Sequence, residues 1–176
     1  MHISYDFAAL VALFMGACAV IDYRTKKIPN WLTVPGAILG LAYSLAAPQG
    51  IGPLWSLAGF LVGFSLLLLP WLLGGGGMGD VKMLAALGAW VGPLGVLIVF
   101  GLGAVLAAGG MMLVLAGSVL GDGYSATRKR YVSAGGAATA AAAPRKVRRV
   151  LPFAVPMALA TWLVLGWMLL KTFGGS

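Results

Sequence analysis

The chain has 176 residues, of which 61% are hydrophobic and only 9% are charged. A soluble domain typically has about 25% charged and about 45–50% apolar residues, so the composition excludes a soluble domain and indicates an integral membrane protein. Twelve Lys and Arg against four acids give a net charge of +8. Because the basic residues cluster in loops between apolar runs, without interleaved aromatics, we interpret them as topology signals and expect no nucleic-acid partner.

The apolar runs predict an all-α, polytopic membrane protein with six transmembrane helices in a single domain, residues 1–176. The runs cover residues 7–21, 31–47, 54–73, 81–120 and 150–170. The run 81–120 is long enough for two spans, since a helix rises about 1.5 Å per residue and a span needs about 20 residues. We place the break at Gly92-Pro93, a stronger turn signal than the glycines of 101–103.

The distribution of basic residues predicts that both termini are non-cytoplasmic. Lys and Arg lie in loops 22–30 and 121–149, whereas loop 48–53 has no charge. These two loops, and the connection before Lys82, are therefore expected on the cytoplasmic side. Loop 121–149 is basic and of low complexity. We interpret it as a solvated segment whose charges contact anionic lipid headgroups, and we assign no chemistry to it.

Two aspartates lie at predicted cytoplasmic ends of different spans. Asp22 closes the first span, and Asp80 opens the fourth within the sequence GGGGMGDVKM. Ionisable groups at the membrane edge are commonly functional, and two close carboxylates can share a proton and activate water. Such a pair hydrolyses a peptide bond without a metal or another cofactor. The alternative is structural: Asp80 is the N-cap of a helix after a flexible glycine turn, and Asp22 caps its loop or pairs with Arg24.

Residues beside the two aspartates are candidates for positioning a substrate. Gly77 and Gly79 have no side chains, so an extended peptide can approach the backbone there, and a positive φ is available. Arg24 and Lys82 each lie two positions from an aspartate, which is not the same face of a helix. They supply a local positive field or only topology-setting charge. Asn30 is expected to bond a loop carbonyl or to cap the second span.

Three segments together resemble the type IV prepilin peptidases, a family of membrane aspartic peptidases with a G-x-G-D motif. Residues 22–30 read DYRTKKIPN, similar to D-x-R-x-x-x-I-P-N, and residues 77–82 read GMGDVK, similar to G-x-G-D-x-K. Residues 151–156 read LPFAVP, similar to (I/L)PF(A/G)P at the start of the last span, with one extra residue before the second proline. The resemblance implies that Asp22 and Asp80 are the catalytic pair.

The resemblance also implies a substrate and a location. It implies cleavage of the short basic leader of pilin-like precursors, next to the apolar helix of the substrate, at the cytoplasmic face of the bacterial inner membrane. Long members of the family carry an N-terminal segment with paired cysteines and methylate the new N-terminus. Here Asp22 follows one span and Cys18 is the single cysteine, as in the short peptidases of Tad/Flp pilus systems. We therefore expect cleavage without methylation and without zinc.

Two other classes of function stay open. Asp22 and Asp80 can form the proton or cation site of a transport subunit, although both lie at one face rather than near the midplane. Alternatively, the chain is a non-catalytic membrane component of pilus or secretion assembly, in which the aspartates only fix helix ends. That alternative predicts that neutral isosteres at both positions keep function, whereas a peptidase is abolished by either Asp→Asn change.

Overall fold

A computed structural model of the chain describes residues 4–47, 50–73, 77–122 and 153–173. These residues form five α-helices and no β-strand, so the predicted all-α class is confirmed. The helices are α1 (Tyr5–Thr25), α2 (Asn30–Ala46), α3 (Pro53–Leu72), α4 (Met78–Asp122) and α5 (Ala154–Phe173). From residue 123 onward, the predicted basic loop lies outside the described residues, as do the first two residues of the 151–156 motif.

Several of the helices suit a membrane environment. In the described ranges, four helices are long and apolar enough to cross a bilayer: Tyr5–Thr25, Pro53–Leu72, Met78–Val114 and Ala154–Thr172. Large apolar side chains also lie on the outer surface of the helices, such as Leu13, which is 71% exposed. The chain is therefore a multi-pass membrane protein. α2 has 17 residues, and six spans with outward-facing termini remain predictions.

α4 is interrupted at Gly92, whose φ of 75° and ψ of 178° are not helical. Glycine adopts this positive φ without the steric penalty that a Cβ brings, and the following Pro93 suits the first position of a new helix because it has no N–H to satisfy. The break predicted at Gly92-Pro93 is confirmed. α4 consists of two helical segments, 78–91 and 93–122.

Glycines set the close packing of α3 against the first segment of α4. A Cβ added at Gly59 would overlap the carbonyl oxygen of Gly88, and one added at Gly63 would overlap the carbonyl oxygen of Leu84. This small-xxx-small spacing lets two helix backbones meet directly, as is common inside membranes. The Ser56 hydroxyl adds a hydrogen bond of 2.6 Å to a carbonyl oxygen of α4.

α2 also packs through glycines, but against aromatic rings. A Cβ at Gly36 would overlap the ring of Phe14 on α1, and one at Gly40 would lie 2.9 Å from the ring of Trp90 on α4. The indole Nε1 of Trp90 donates a hydrogen bond of 2.8 Å to the carbonyl oxygen of Gly36. α2 is therefore held to both α1 and α4 on its glycine-bearing face.

The first segment of α4 is the central helix of the compact unit that carries the candidate site. This unit comprises the described residues up to Ala104 together with α5, whereas the part of α4 from Val105 belongs to a second unit. Between residues 80 and 90, every residue except Lys82 is buried. α1 packs along α5 within the same unit. Asp80, the polar residue in the first turn of this central helix, is consequently surrounded by packed residues on several sides.

Candidate active site

Asp80 lies at the start of the central helix. It is the third residue of α4 and is only 7% exposed. Its backbone N–H donates to the carbonyl oxygen of Gly77 at 3.0 Å. Because the helix begins at Met78, Asp80 is inside the first turn, and the interpretation of Asp80 as an N-cap is wrong. A helix N-terminus is nonetheless a favourable place for a negative side chain.

Asp22 lies inside α1, one turn before the helix ends at Thr25, and is 1% exposed. Its Oδ2 accepts a hydrogen bond of 3.1 Å from the backbone N–H of Ala154, the first residue of α5. The N-terminus of α5 therefore points at this carboxylate, an arrangement that suits a negative charge. The interpretation that Asp22 only caps its own loop is wrong. Within the described residues, Asp22 forms no ion pair with Arg24, whose side chain is exposed.

The two motif segments touch each other between the aspartates. A Cβ built at Gly79 would lie 3.2 Å from the Cβ of Ile28 and 3.3 Å from its backbone nitrogen and oxygen. The Lys82 Nζ donates a hydrogen bond of 2.9 Å to the Asn30 Oδ1. The C-terminus of α1 and the N-termini of α2, α4 and α5 consequently meet at one end of the unit. Both buried carboxylates lie at this end.

The flanking candidates differ from their predicted roles. A positive φ occurs at Gly52 and Gly92 but not at Gly79, so the positive φ considered for Gly79 is wrong, while that for Gly77 stays a prediction. Gly79 instead packs tightly against the loop before α2, where an added Cβ would force Ile28 to shift by a few tenths of an ångström. Asn30 does not cap α2, since Pro29 occupies the N-cap position. Within the described ranges its side chain binds Lys82 and no loop carbonyl.

Sequence reasoning missed Ala154 as a functional partner. A backbone donor leaves no side-chain signature, and the only signal was the position of Ala154 inside the 151–156 motif. The predicted interpretation of Cys18 as a small buried residue is confirmed, since it is fully buried on α1. In the described part of the chain, no group of three or more His, Cys, Asp or Glu side chains is arranged to hold a metal ion. Among the described residues, the chemical groups that converge here include two carboxylates, the ammonium group of Lys82 and the N-terminus of α5, which binds Asp22.

Comparisons with known proteins give the family. The model of the type IV leader peptidase family matches residues 9–124, which include both aspartates. The prepilin leader peptidase/N-methyltransferase of Aeromonas salmonicida (strain A449) is 31% identical over 166 residues, covering 91% of this chain and 48% of the relative. The protein of the same name from Xanthomonas campestris pv. campestris is 31% identical over 173 residues, covering 91% and 49%.

A third relative of that name, from Escherichia coli (strain K12), is 38% identical over 94 residues, covering 46% of this chain and 41% of the relative. The chain spans about half the length of the first two relatives. No solved structure matches it. With the family match covering most of the sequence, the chain belongs to the type IV leader peptidase family.

Proposed function

We propose that the chain is a membrane aspartic endopeptidase that cleaves the short basic leader of pilin-like precursors at the cytoplasmic face of the bacterial inner membrane. The observation that carries the proposal is the burial of Asp22 and Asp80 at one end of the same unit, on segments that touch at Gly79 and at Lys82. Membership of the type IV leader peptidase family supports the substrate class.

In the proposed reaction, the two carboxylates share one proton, because two like charges held close together in a buried site are unfavourable. The ionised carboxylate takes a proton from a water molecule while the oxygen of that water attacks the scissile carbonyl carbon. The protonated carboxylate donates its proton to the carbonyl oxygen, which gives a gem-diol intermediate. The carboxyl group that took the proton from water then donates it to the amide nitrogen, the other carboxylate takes a proton from one gem-diol hydroxyl, and the C–N bond breaks to release the leader and the new amino terminus. Asp22 is held for this role by the N–H of Ala154.

The proposed topology has six spans, with both termini outside and the site on the cytoplasmic side. The two segments of α4 on either side of Gly92 supply the fourth and fifth spans, and α2 supplies the second. We further propose that the basic residues of loop 121–149 contact anionic lipid headgroups. With this topology, the leader of a precursor and both carboxylates are on the same side of the membrane.

A transport role receives less support from the same geometry. Substrate and ion sites of secondary transporters lie near the bilayer midplane. Asp22 instead lies one turn from the end of α1, and Asp80 lies in the first turn of α4. A helix-end role alone does not account for a carboxylate that is 1% exposed and bound by another helix.

The test is co-expression with a tagged pilin-like precursor, read by gel shift and N-terminal sequencing of the product. Asp22→Asn and Asp80→Asn are each expected to lower the cleavage rate by at least about 100-fold, the scale of a lost acid or base. Asp6→Asn is the matched control, because Asp6 is an exposed aspartate in the first turn of α1. Cleavage at the parent's rate by either buried-site variant refutes the pair.

A further inference from the structure

A groove in the outer surface of the unit has no assigned role. It has a volume of about 430 Å³, within the range of ligand-binding pockets, and its walls are almost entirely apolar. We call it the α2–α3 groove. Its lining includes Thr33, Ala37 and Ile38 of α2, Phe60 of α3, and Lys82 and Ala85 of α4.

The groove results from how α2 and α3 each pack on α4. α2 contacts Trp90 through Gly40, and α3 contacts the α4 backbone through Gly59. α2 and α3 also contact each other. Ala37 of α2 and Phe60 of α3 line the groove beside this contact, and the small residue Ala85 of α4 forms part of its floor. The groove is therefore a consequence of the same glycine contacts that fix the central helix.

One end of the groove lies at the end of the unit that carries the proposed catalytic residues. Lys82 is two residues after Asp80 and lines the groove while its ammonium group binds Asn30. Thr33 lies one turn after Asn30 on α2. From this end, Ala37 and Ile38 continue one further turn along α2, away from the carboxylates. The groove therefore begins at the end of the unit where both carboxylates lie, on the face of α4 that carries Lys82 and Ala85.

The polar groups of the groove favour a peptide occupant over a lipid chain. The Thr33 hydroxyl oxygen is buried and, among the described residues, has no hydrogen-bond partner. A buried hydroxyl without a partner is unfavourable, and a peptide backbone supplies donors and acceptors that an acyl chain does not. The ammonium group of Lys82 repels basic residues, so it disfavours a basic leader in the groove but not an apolar segment.

We propose that the α2–α3 groove binds the apolar segment of the precursor that follows the scissile bond, with Thr33 hydrogen-bonded to its backbone. This inference rests on the proposed function. It assigns specificity to a surface outside the carboxylate pair. The apolar walls accept the segment, and Lys82 fixes the direction of the precursor by keeping its basic leader out of the groove, on the cytoplasmic side of the scissile bond.

Ala37→Phe tests the groove by filling it. Ala42→Phe is the matched control, because Ala42 lies exposed on α2 outside the groove. With purified enzyme and a tagged precursor, Ala37→Phe is expected to raise KM by at least about tenfold with little change in kcat, the signature of lost substrate binding. Ala42→Phe is expected to match the parent. Equal kinetics of the two variants overturn the groove proposal.

Thr33→Val separates binding from folding. The substitution removes a hydroxyl that has no partner in the described structure, so thermal stability is expected to be unchanged or higher. KM for the precursor is nevertheless expected to rise, and Thr33→Ser is expected to restore it. Parent-like KM for Thr33→Val overturns the role of this hydroxyl.

Photo-crosslinking identifies the occupant directly. In the Asp80→Asn background, a benzoylphenylalanine replaces Ile38, which lines the groove and is 61% exposed. The control places it at Leu163, which is 58% exposed on α5. The tagged precursor is expected to crosslink at position 38 and not at position 163. Crosslinks at position 38 to phospholipid alone overturn the proposal. Failure of the groove proposal is distinguishable from failure of the proposed peptidase function, because in the second case the parent chain does not cleave the precursor at all.

Discussion

Replacing Ala154 by Pro isolates the contact between α5 and Asp22. The substitution deletes the backbone N–H that donates to the Asp22 Oδ2 at 3.1 Å. Proline is well tolerated at the first position of a helix, and Ala154 is the first residue of α5, so the rest of the helix can form. Val155→Pro is the matched control, because it removes the next N–H along the same turn and leaves the one that binds Asp22.

The magnitude follows from the nature of this hydrogen bond. A hydrogen bond to a charged group contributes about 1.5–3 kcal/mol. If this free energy holds the carboxylate in its productive position, its loss raises the activation barrier by a similar amount. Each 1.36 kcal/mol corresponds to about a tenfold change in rate, so kcat is expected to fall by about 10- to 150-fold. KM is expected to stay close to that of the parent.

The assay is precursor cleavage by purified enzyme, with thermal unfolding as the measure of folding. Ala154 is fully buried, so Ala154→Gly is a second control that keeps the N–H while changing the packing. Ala154→Pro is expected to lose activity, and Val155→Pro and Ala154→Gly are expected to keep most of it. If Ala154→Pro cleaves as fast as Val155→Pro, or if Ala154→Gly is equally impaired, the N–H does not position Asp22.

Two further predictions concern packing. Gly59→Ala forces a Cβ into the carbonyl of Gly88 and is expected to lower the free energy of unfolding by about 1–3 kcal/mol. Gly166→Ala, in open space on α5, is expected to raise the free energy of unfolding by about 0.5–1 kcal/mol. Unfolding in mixed micelles checks both variants, which are expected to change this free energy in opposite directions. Trp90→Phe removes the bond to the carbonyl of Gly36 and is expected to destabilise by about 1 kcal/mol in the same assay; an unchanged midpoint contradicts a stabilising bond.

The features that local physics determines could be predicted from the sequence. Long apolar runs predict helices for a membrane, because a backbone in lipid must satisfy its own hydrogen bonds. The break at Gly92-Pro93 is equally local, since one residue favours an unusual φ and the next cannot donate an N–H. The placement of Asp22 and Asp80 at one end also followed from counting helices.

The features that depend on tertiary contacts could not be predicted. The partner of Asp22 is a backbone N–H more than a hundred residues away in the chain, and neither an aspartate nor an alanine in the sequence indicates this contact. Gly79 was interpreted as a residue that permits positive φ and close approach of a peptide, yet in the structure its distinguishing feature is tight packing against Ile28. For Asn30, the sequence suggested only local partners, a loop carbonyl or the start of the second span. Its side chain instead binds Lys82 on α4.

The hydrogen bond from Ala154 to Asp22 joins the first described helix to the last. A chain synthesised from its N-terminus places Asp22 in the membrane early and receives α5 after the other four helices. The catalytic arrangement proposed here is therefore finished only when α5 is inserted. A nascent or truncated chain that ends before Ala154 carries both aspartates but lacks the donor that orients one of them, so biosynthesis itself delays the onset of proteolysis until the bundle is assembled.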